Sequence, residues 1–219
     1  MKHLALAALL GLAAAASTNT YRVPVEIHIM SQCPDAADCF LDLVAPTLAR
    51  VPDITAFTLS FIGARTPAGV ACMHGPHECL GNMLHLCGAR LSTPPAPPPP
   101  ARYAGFSACL LRDYARVADE AFVRGCAAQG LAGARFDDVN ACVSDLGEHG
   151  GLRLLEDSVA RSAAAGVRRS CTVRVEGRTV CVRDGGEWKD CPGGSGVDDL
   201  VRAIEEAHER GGVLGAGEL

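Results

Sequence analysis

Cys33 lies where a protein chain can make a thiol reactive, at the predicted junction of a strand and a helix. The strand is predicted over residues 23–30, and Pro34 suits the first position of a helix because that position needs no N–H donor. Unsatisfied N–H groups and the positive end of the helix dipole favour a thiolate there. We therefore predict that Cys33 is a nucleophile that attacks disulfides.

A second thiol must resolve the mixed disulfide that Cys33 would form, and Cys39 is the nearest one along the chain. The spacing is C-x5-C, and six residues of ideal helix rise about 9 Å and leave the two side chains on different faces. A disulfide needs Cα atoms within roughly 7 Å. Cys39 therefore reaches Cys33 only if the helix begins late, and otherwise another cysteine is the resolving thiol.

The chain has eleven cysteines, and all of them follow an N-terminal segment typical of an exported protein. Residues 1–17 join a short basic start to a small apolar run that ends in alanines, which predicts a cleaved signal peptide. Disulfides persist in the compartments that such proteins reach. Because the count is odd, at least one thiol stays free or pairs outside the chain.

Composition excludes some partner classes. The net charge is −5 and no basic stripe is present, so nucleic acid is not an expected partner. No later window is apolar enough for stable membrane insertion. We expect the partners to be proteins that contain disulfides, together with a small-thiol or protein reductant.

The order of predicted elements points to an α/β chain. A helix predicted over residues 36–50, with Asp35 as its N-cap and a kink at Pro46, is followed by a strand over 55–62. Helical patterns follow over residues 78–90, 108–128, 136–146 and 152–165, interrupted by a polyproline tract over 93–100. The chain then returns to a β-hairpin over 170–175 and 178–183 and a last helix over 197–209.

This order is that of a thioredoxin-like fold, disulfide-rich, with a helical insertion. The predicted division is a signal peptide (1–17), a first thioredoxin-like half (18–63), the insertion (64–165), a second half (166–210) and a flexible tail (211–219). In such folds the turn before the third strand presses against the nucleophilic cysteine. That position falls at or beside Cys171, so Cys171 is the alternative resolving thiol unless it bonds Cys181 or Cys191.

His28 lies on the first predicted strand, on the face that it shares with Glu26 and Met30. A histidine at such a position is expected to be a surface residue without a role in catalysis.

A second cluster of cysteines occupies residues 72–87, where two histidines lie close to three cysteines. Cysteine and histidine at such spacing could hold zinc, which takes four nitrogen or sulfur ligands. An oxidising lumen competes for those thiols, so we expect structural disulfides that hold the insertion on the core and no metal. The residues of the pattern are Cys72, His74, Gly75, Glu78, Cys79, Asn82 and Cys87.

The pattern C-x-H-G-x-x-E-C-x-x-N-x4-C resembles the signature of the gamma-interferon-inducible lysosomal thiol reductase (GILT) family. The resemblance runs over nearly the whole chain after the signal peptide. The sequence of this chain is similar to the fungal branch of the family. It implies a thioredoxin-like fold and reduction of protein disulfides in an acidic vacuolar or lysosomal lumen. One departure stands out, since animal members carry C-x-x-C at the first turn and here Ala36 occupies the second cysteine position.

Two functions are therefore weighed. The first is a thiol-disulfide oxidoreductase without a bound cofactor, in which Cys33 attacks and Cys39 or Cys171 resolves. The second is a non-catalytic exported protein that keeps the scaffold, with Cys33 and Cys39 locked in a structural bridge. The expected location is the secretory pathway, ending in a vacuolar or lysosomal lumen or outside the cell.

Overall fold

The computed structural model describes residues 21–67, 69–92, 101–131 and 133–215. The predicted signal peptide and the polyproline tract at 93–100 lie outside these residues. The predicted tail lies partly inside them, and its first five residues extend the last helix to Gly215. The division of the chain into two halves and an insertion stays a prediction.

Five strands form the main sheet, in the order β2-β1-β5-β6-β7. β1 pairs with β2 in parallel and with β5 antiparallel, and the remaining neighbours are antiparallel. The bounds are β1 (Val23–Ile29), β2 (Thr55–Phe61), β5 (Thr172–Val175), β6 (Arg178–Asp184) and β7 (Glu187–Lys189). A separate hairpin consists of β3 (Ala64–Thr66) and β4 (Gly69–Ala71). The sequence pattern predicted neither this hairpin nor β7, because three-residue strands are too short to show alternation.

Helices cover the sheet and make up most of the segment between β4 and β5. They are α1 (Pro34–Asp38), α2 (Ala45–Arg50), α3 (Pro76–Leu91), α4 (Ala101–Arg112), α5 (Glu120–Gly130), α6 (Phe136–Ser144), α7 (Gly151–Ala164) and α8 (Val197–Gly215). α8 packs on β1 and α2, whereas α7 packs on β2 and also touches α3. Among the helices in the described part of the chain, none has the length and apolar character needed to cross a bilayer.

The first helix is continuous but irregular. A π-helical stretch (Cys39–Val44) joins α1 to α2 directly before Pro46, where the sequence predicted a kink. The Ala45 N–H donates to the carbonyl of Phe40, five residues back, and the Thr47 hydroxyl donates to the carbonyl of Leu43 at 2.8 Å. Such a widened turn is a known way for a helix to accommodate an imino acid that lacks an N–H and crowds the preceding turn.

One long helix of the sequence prediction is two helices in the structure. The region predicted as a helix over residues 108–128 contains the end of α4, a 3-10 turn (Tyr114–Arg116) and α5. α5 begins because the Asp119 carboxylate accepts the N–H groups of Ala121 and Phe122 at 3.0 and 3.2 Å. The apolar spacing runs on across this break, so it did not reveal the new start.

Candidate active site

Cys33 is the N-cap residue of α1, where the chain leaves β1 for the first helix. Its N–H donates to the carbonyl of Met30 at 3.0 Å, and its carbonyl accepts the N–H groups of Ala36 and Ala37. These bonds place the residue at the positive end of a continuous helical segment. Asp35, predicted as the N-cap, instead lies in the first turn.

All eleven cysteines lie in the described residues, and Cys33 alone among them is unbonded. Cys33 is also partly exposed, whereas its neighbours Ala36 and Ala37 are buried. The pairs are Cys39–Cys171, Cys72–Cys79, Cys87–Cys142, Cys109–Cys126 and Cys181–Cys191. The prediction that the odd count leaves a thiol free is confirmed.

Cys39 does not pair with Cys33. It is fully buried beneath the helix and bonds Cys171, 132 residues away in sequence, with a Cα–Cα distance of 6.3 Å. The inert Cys33–Cys39 bridge of the non-catalytic alternative is therefore wrong, since helical residues 34–38 turn the two side chains apart. The alternatives in which Cys171 bonds Cys181 or Cys191 are also wrong, because those two residues bond each other.

The segment before β5 presses against Cys33. The peptide bond between Ser170 and Cys171 is cis. The Ser170 carbonyl oxygen lies 3.9 Å from Cys33 Sγ, and the Ser170 hydroxyl accepts the N–H of Met30 at 2.8 Å. Cys171 also exchanges two backbone hydrogen bonds of 2.9 Å with Arg183 on β6. The structure therefore brings Ser170, the residue before Cys171, against Cys33. The role of Cys171 as a resolving thiol stays a prediction.

The acidic residues of the first turn point away from the sulfur. The Asp35 carboxylate accepts the N–H groups of Gly185 and Gly186 at 2.8 and 2.9 Å, in the turn between β6 and β7. Arg183 forms an ion pair with Asp38 at 2.9 Å. These contacts fasten α1 to the last hairpin and give the Asp35 carboxylate two hydrogen-bond donors outside the helix.

The cysteine signature lies directly behind the turn that carries Cys33. The Asn82 side-chain oxygen accepts the N–H of Ser31 at 3.1 Å, and the Ser31 hydroxyl donates to the carbonyl of Glu78 at 3.1 Å. A Cβ on Gly81 would lie 2.6 Å from Ser31 Oγ, so only glycine allows this approach. Ser31 was missed as a site residue because nothing in its sequence neighbourhood shows which helix lies behind it.

The remaining signature residues shape the start of α3. Cys72 and Cys79 bond each other, and Gly75 between them adopts a φ of +87° as the N-cap. The His74 ring contacts the carboxylate of Glu78, which is fully buried. Cys87 bonds Cys142 and so ties α3 to α6. These bonds leave Cys72, Cys79 and Cys87 without the free thiolates that the zinc alternative requires.

His28 is buried and does not lie at the surface as expected. Its Nδ1 lies 2.9 Å from Ser162 Oγ, and that hydroxyl donates onward to the Phe61 carbonyl, so His28 Nδ1–H is the donor. Burial lowers the pKa of His28 to about 4, and the positive charges of Arg174 and Arg161 act in the same direction while Glu26 opposes them. The expectation of a surface position is wrong because α7, which carries Ser162, lies against His28.

Comparison with known proteins identifies a related family. The profile of the family described as gamma interferon inducible lysosomal thiol reductase (GILT) matches residues 24–130, which include Cys33 and the whole cysteine signature. This segment makes up just under half of the chain and is similar to the GILT family. A relative, GILT-like protein 1 of Drosophila melanogaster, is 30% identical over 80 residues. That match spans 33% of this chain and about a third (32%) of the curated relative.

Solved structures confirm the predicted thioredoxin-like fold. Oxidised BdbD from Bacillus subtilis superposes with a TM-score of 0.53 at 10% identity, covering 89% of this chain and 91% of that one. The reduced disulfide bond oxidoreductase DsbG from Mycobacterium tuberculosis gives 0.50 at 18% identity and covers 90% of both chains. At such identities the likeness concerns the fold alone.

Proposed function

We propose that this chain is a thiol-disulfide oxidoreductase of the GILT family that reduces protein disulfides through Cys33. The observation that carries the proposal is the free, partly exposed Cys33 at a helix start, with the carbonyl of Ser170 packed against its sulfur. Ser170 is the neighbour of Cys171 in the chain. A thiolate is the nucleophile in disulfide exchange, and a helix N-terminus favours it. The other ten cysteines are held in disulfides.

The first step is attack by the Cys33 thiolate on one sulfur of a substrate disulfide. The substrate S–S bond breaks, and the departing sulfur leaves as a thiolate that takes a proton from solvent. A mixed disulfide between Cys33 and the substrate remains.

The second step uses the reduced form of the Cys39–Cys171 pair. The Cys171 thiolate attacks Cys33 Sγ and releases the second substrate thiol. Cys39 then attacks Cys171, which frees Cys33 and closes the Cys39–Cys171 bond. The substrate gains two electrons and two protons, and the pair loses them. A free Cys33 beside a closed Cys39–Cys171 bond is the oxidised end of this cycle.

Burial supports the order of these transfers. Cys39 and Cys171 are both 0% exposed, whereas Cys33 is partly exposed. A substrate or reductant therefore meets Cys33 first, and electrons enter or leave the buried pair through it. Two equivalents of an external thiol reductant regenerate the dithiol by exchange at Cys33.

Reduction of a protein disulfide by the purified chain tests this proposal. Cys33→Ser should abolish turnover, whereas Cys39→Ser and Cys171→Ser should slow it and let the Cys33–substrate mixed disulfide accumulate. The control is the double variant Cys181→Ser with Cys191→Ser, which removes a disulfide away from Cys33 and should keep turnover. Activity in Cys33→Ser equal to that of the unmodified chain would overturn the proposal.

The proposed location is a compartment of the secretory pathway, a vacuolar or lysosomal lumen or the extracellular space. Five disulfides support an oxidising environment, because reducing cytosol does not maintain them. The proposed partners are disulfide-containing proteins and a thiol reductant. Fractionation of cells that express the full chain, with an antibody against it, checks the location.

A further inference from the structure

A cleft opens beside the segment that leads from α7 to the Cys171 turn. Its volume is about 310 Å³, at the lower end of the range for sites that hold small ligands. It is named here the Val167 cleft, and its lining residues are Ile62, Gly63, Ser162, Ala163, Gly166, Val167 and Arg168. Two of these residues are glycines and one is alanine, so the walls leave room for an incoming side chain.

The cleft shares two of its lining residues with an apolar cluster that Cys33 contacts. Ile62 and Val167, each 9% exposed, form with Met30 a small apolar cluster that is separate from the main core. Cys33 packs against the same cluster. A chain attached to Cys33 by a disulfide therefore meets an apolar surface within the reach of its neighbouring residues.

The rim of the cleft carries an uncompensated positive charge. Arg168 is exposed and forms no ion pair with any described residue. Its neighbour Arg169 differs, because its guanidinium contacts Asp190 at 2.8 Å. A carboxylate brought close to Arg168 would meet a cation that no protein group has already neutralised.

We infer that the Val167 cleft binds the substrate chain next to the attacked disulfide, holding an apolar side chain against Ile62 and Val167 and an acidic one against Arg168. This inference rests on the proposed function of Cys33 and adds a preference among substrates. Its occupant is an extended segment of a disulfide-containing protein, since Ile62 and Val167 of the cleft belong to the cluster that packs against Cys33, to which that segment becomes attached.

A set of peptides tests the preference for an apolar and an acidic flanking residue. The peptides share one intramolecular disulfide and differ only in the two residues next to it. The flanks are Leu-Glu, Ser-Glu and Leu-Lys, and kcat/KM is measured for each peptide relative to the reaction with 2,2′-dithiodipyridine, a neutral disulfide without a flanking chain. We expect Leu-Glu to exceed Ser-Glu by about tenfold, because a buried leucine side chain contributes most of that difference.

Two charge-reversal variants locate the acidic preference. Arg168→Glu should lower kcat/KM for Leu-Glu by about fivefold and raise it for Leu-Lys, as reversal of an exposed ion pair does. Arg178→Glu is the matched control, since Arg178 is exposed at the far end of the hairpin from Cys171 and should change neither value. Val167→Thr, which keeps the shape of the side chain, should reduce the gain from leucine.

The outcomes separate the inference from the function on which it rests. Equal kcat/KM for all three flanks with an active chain would overturn the cleft and leave Cys33 as the nucleophile. If neither the unmodified chain nor Cys33→Ser reduces any of the peptides, the proposed function itself is overturned. A concentration-dependent dimer that Arg168→Glu abolishes, with peptides unaffected, would assign the cleft to a second copy of the chain and so contradict the inference.

Discussion

At the scale of single residues, the site depends on how backbone and side chains hold Cys33 in place. Ser170 contributes a hydroxyl to the Met30 N–H and a carbonyl beside the sulfur, and Asn82 holds the N–H of Ser31. None of these three polar residues carries the redox chemistry. They fix the position of Cys33, the proposed nucleophile.

Removal of the Asn82 side chain tests this positioning. Asn82→Ala leaves the buried N–H of Ser31 without its acceptor, which costs about 1–3 kcal/mol. We expect lower kcat and a lower free energy of unfolding in urea. Asn140→Ala removes the same group from an exposed helical position and should change neither measurement. Unchanged kcat in Asn82→Ala would contradict a positioning role.

Two buried histidines make stability depend on pH. Burial lowers the pKa of His28 to about 4 and that of His85 to about 3, from the ordinary 6.5. Between pH 6.5 and 4 the unfolded chain takes up protons at these histidines and the folded chain does not, so acid favours unfolding there. Stability is full above pH 6.5 and falls by about 2 kcal/mol for each histidine between pH 7 and pH 5.

Urea unfolding at pH 7.5 and pH 5 measures this effect. His28→Asn keeps a donor for Ser162 and removes the titrating ring, so the loss of stability between the two pH values should shrink by about 2 kcal/mol. At pH 7.5 a histidine is neutral in both the folded and the unfolded state. The free energy of unfolding at pH 7.5 therefore shows what the substitution does apart from titration. An unchanged pH dependence would rule out His28 as a source of acid sensitivity.

At the scale of elements, the start of α3 works as a support for the turn after β1. The close approach of Gly81 to Ser31 leaves no room for a Cβ, and Asn82 is bonded one residue later. The cysteine pattern predicted a structural role for this segment from its disulfides. The contact with Ser31 could not be predicted, because it joins residues 51 positions apart through the packing of an inserted helix.

A pair of glycine substitutions in helices tests the support. Gly81→Ala pushes its Cβ against Ser31 Oγ, so we expect lower kcat and reduced stability. Gly125→Ala, in α5, meets nothing within 4 Å and should stabilise the chain by about 0.5–1 kcal/mol without a change in kcat. Thermal unfolding and turnover together measure both effects. If Gly81→Ala and Gly125→Ala had the same thermal stability and the same kcat, the close contact between Gly81 and Ser31 would be contradicted.

At the scale of the whole molecule, alternation and helical spacing predicted the order of the main elements because they follow local periodicity. The same local signals could not show which cysteines meet, since Cys39 and Cys171 lie 132 residues apart. They also predicted His28 at the surface, whereas it is buried against Ser162 of α7. The position of Cys33 at a helix start could be predicted because it is visible locally. The residues around Cys33 could not, because they depend on the full topology.

The disulfides should stabilise the molecule in the order of the loops they close. The Cys87–Cys142 bond closes a loop of 55 residues and the Cys181–Cys191 bond one of 10. Loop entropy predicts losses of about 4 and about 3 kcal/mol when each pair is replaced by alanine. Urea unfolding of the two double variants measures the losses. A larger loss for the short loop would show that local contacts outweigh loop length.

Differential alkylation of the native chain tests the central claim most directly. The oxidised protein is labelled with one reagent, reduced briefly with a small thiol, labelled with a second reagent and mapped by mass spectrometry. We predict that Cys33 alone takes the first label, and that Cys39 and Cys171 take the second before any other pair. The account would be contradicted if Cys33 did not take the first label in the folded chain. It would also be contradicted if the Cys39–Cys171 bond were the last disulfide to be reduced.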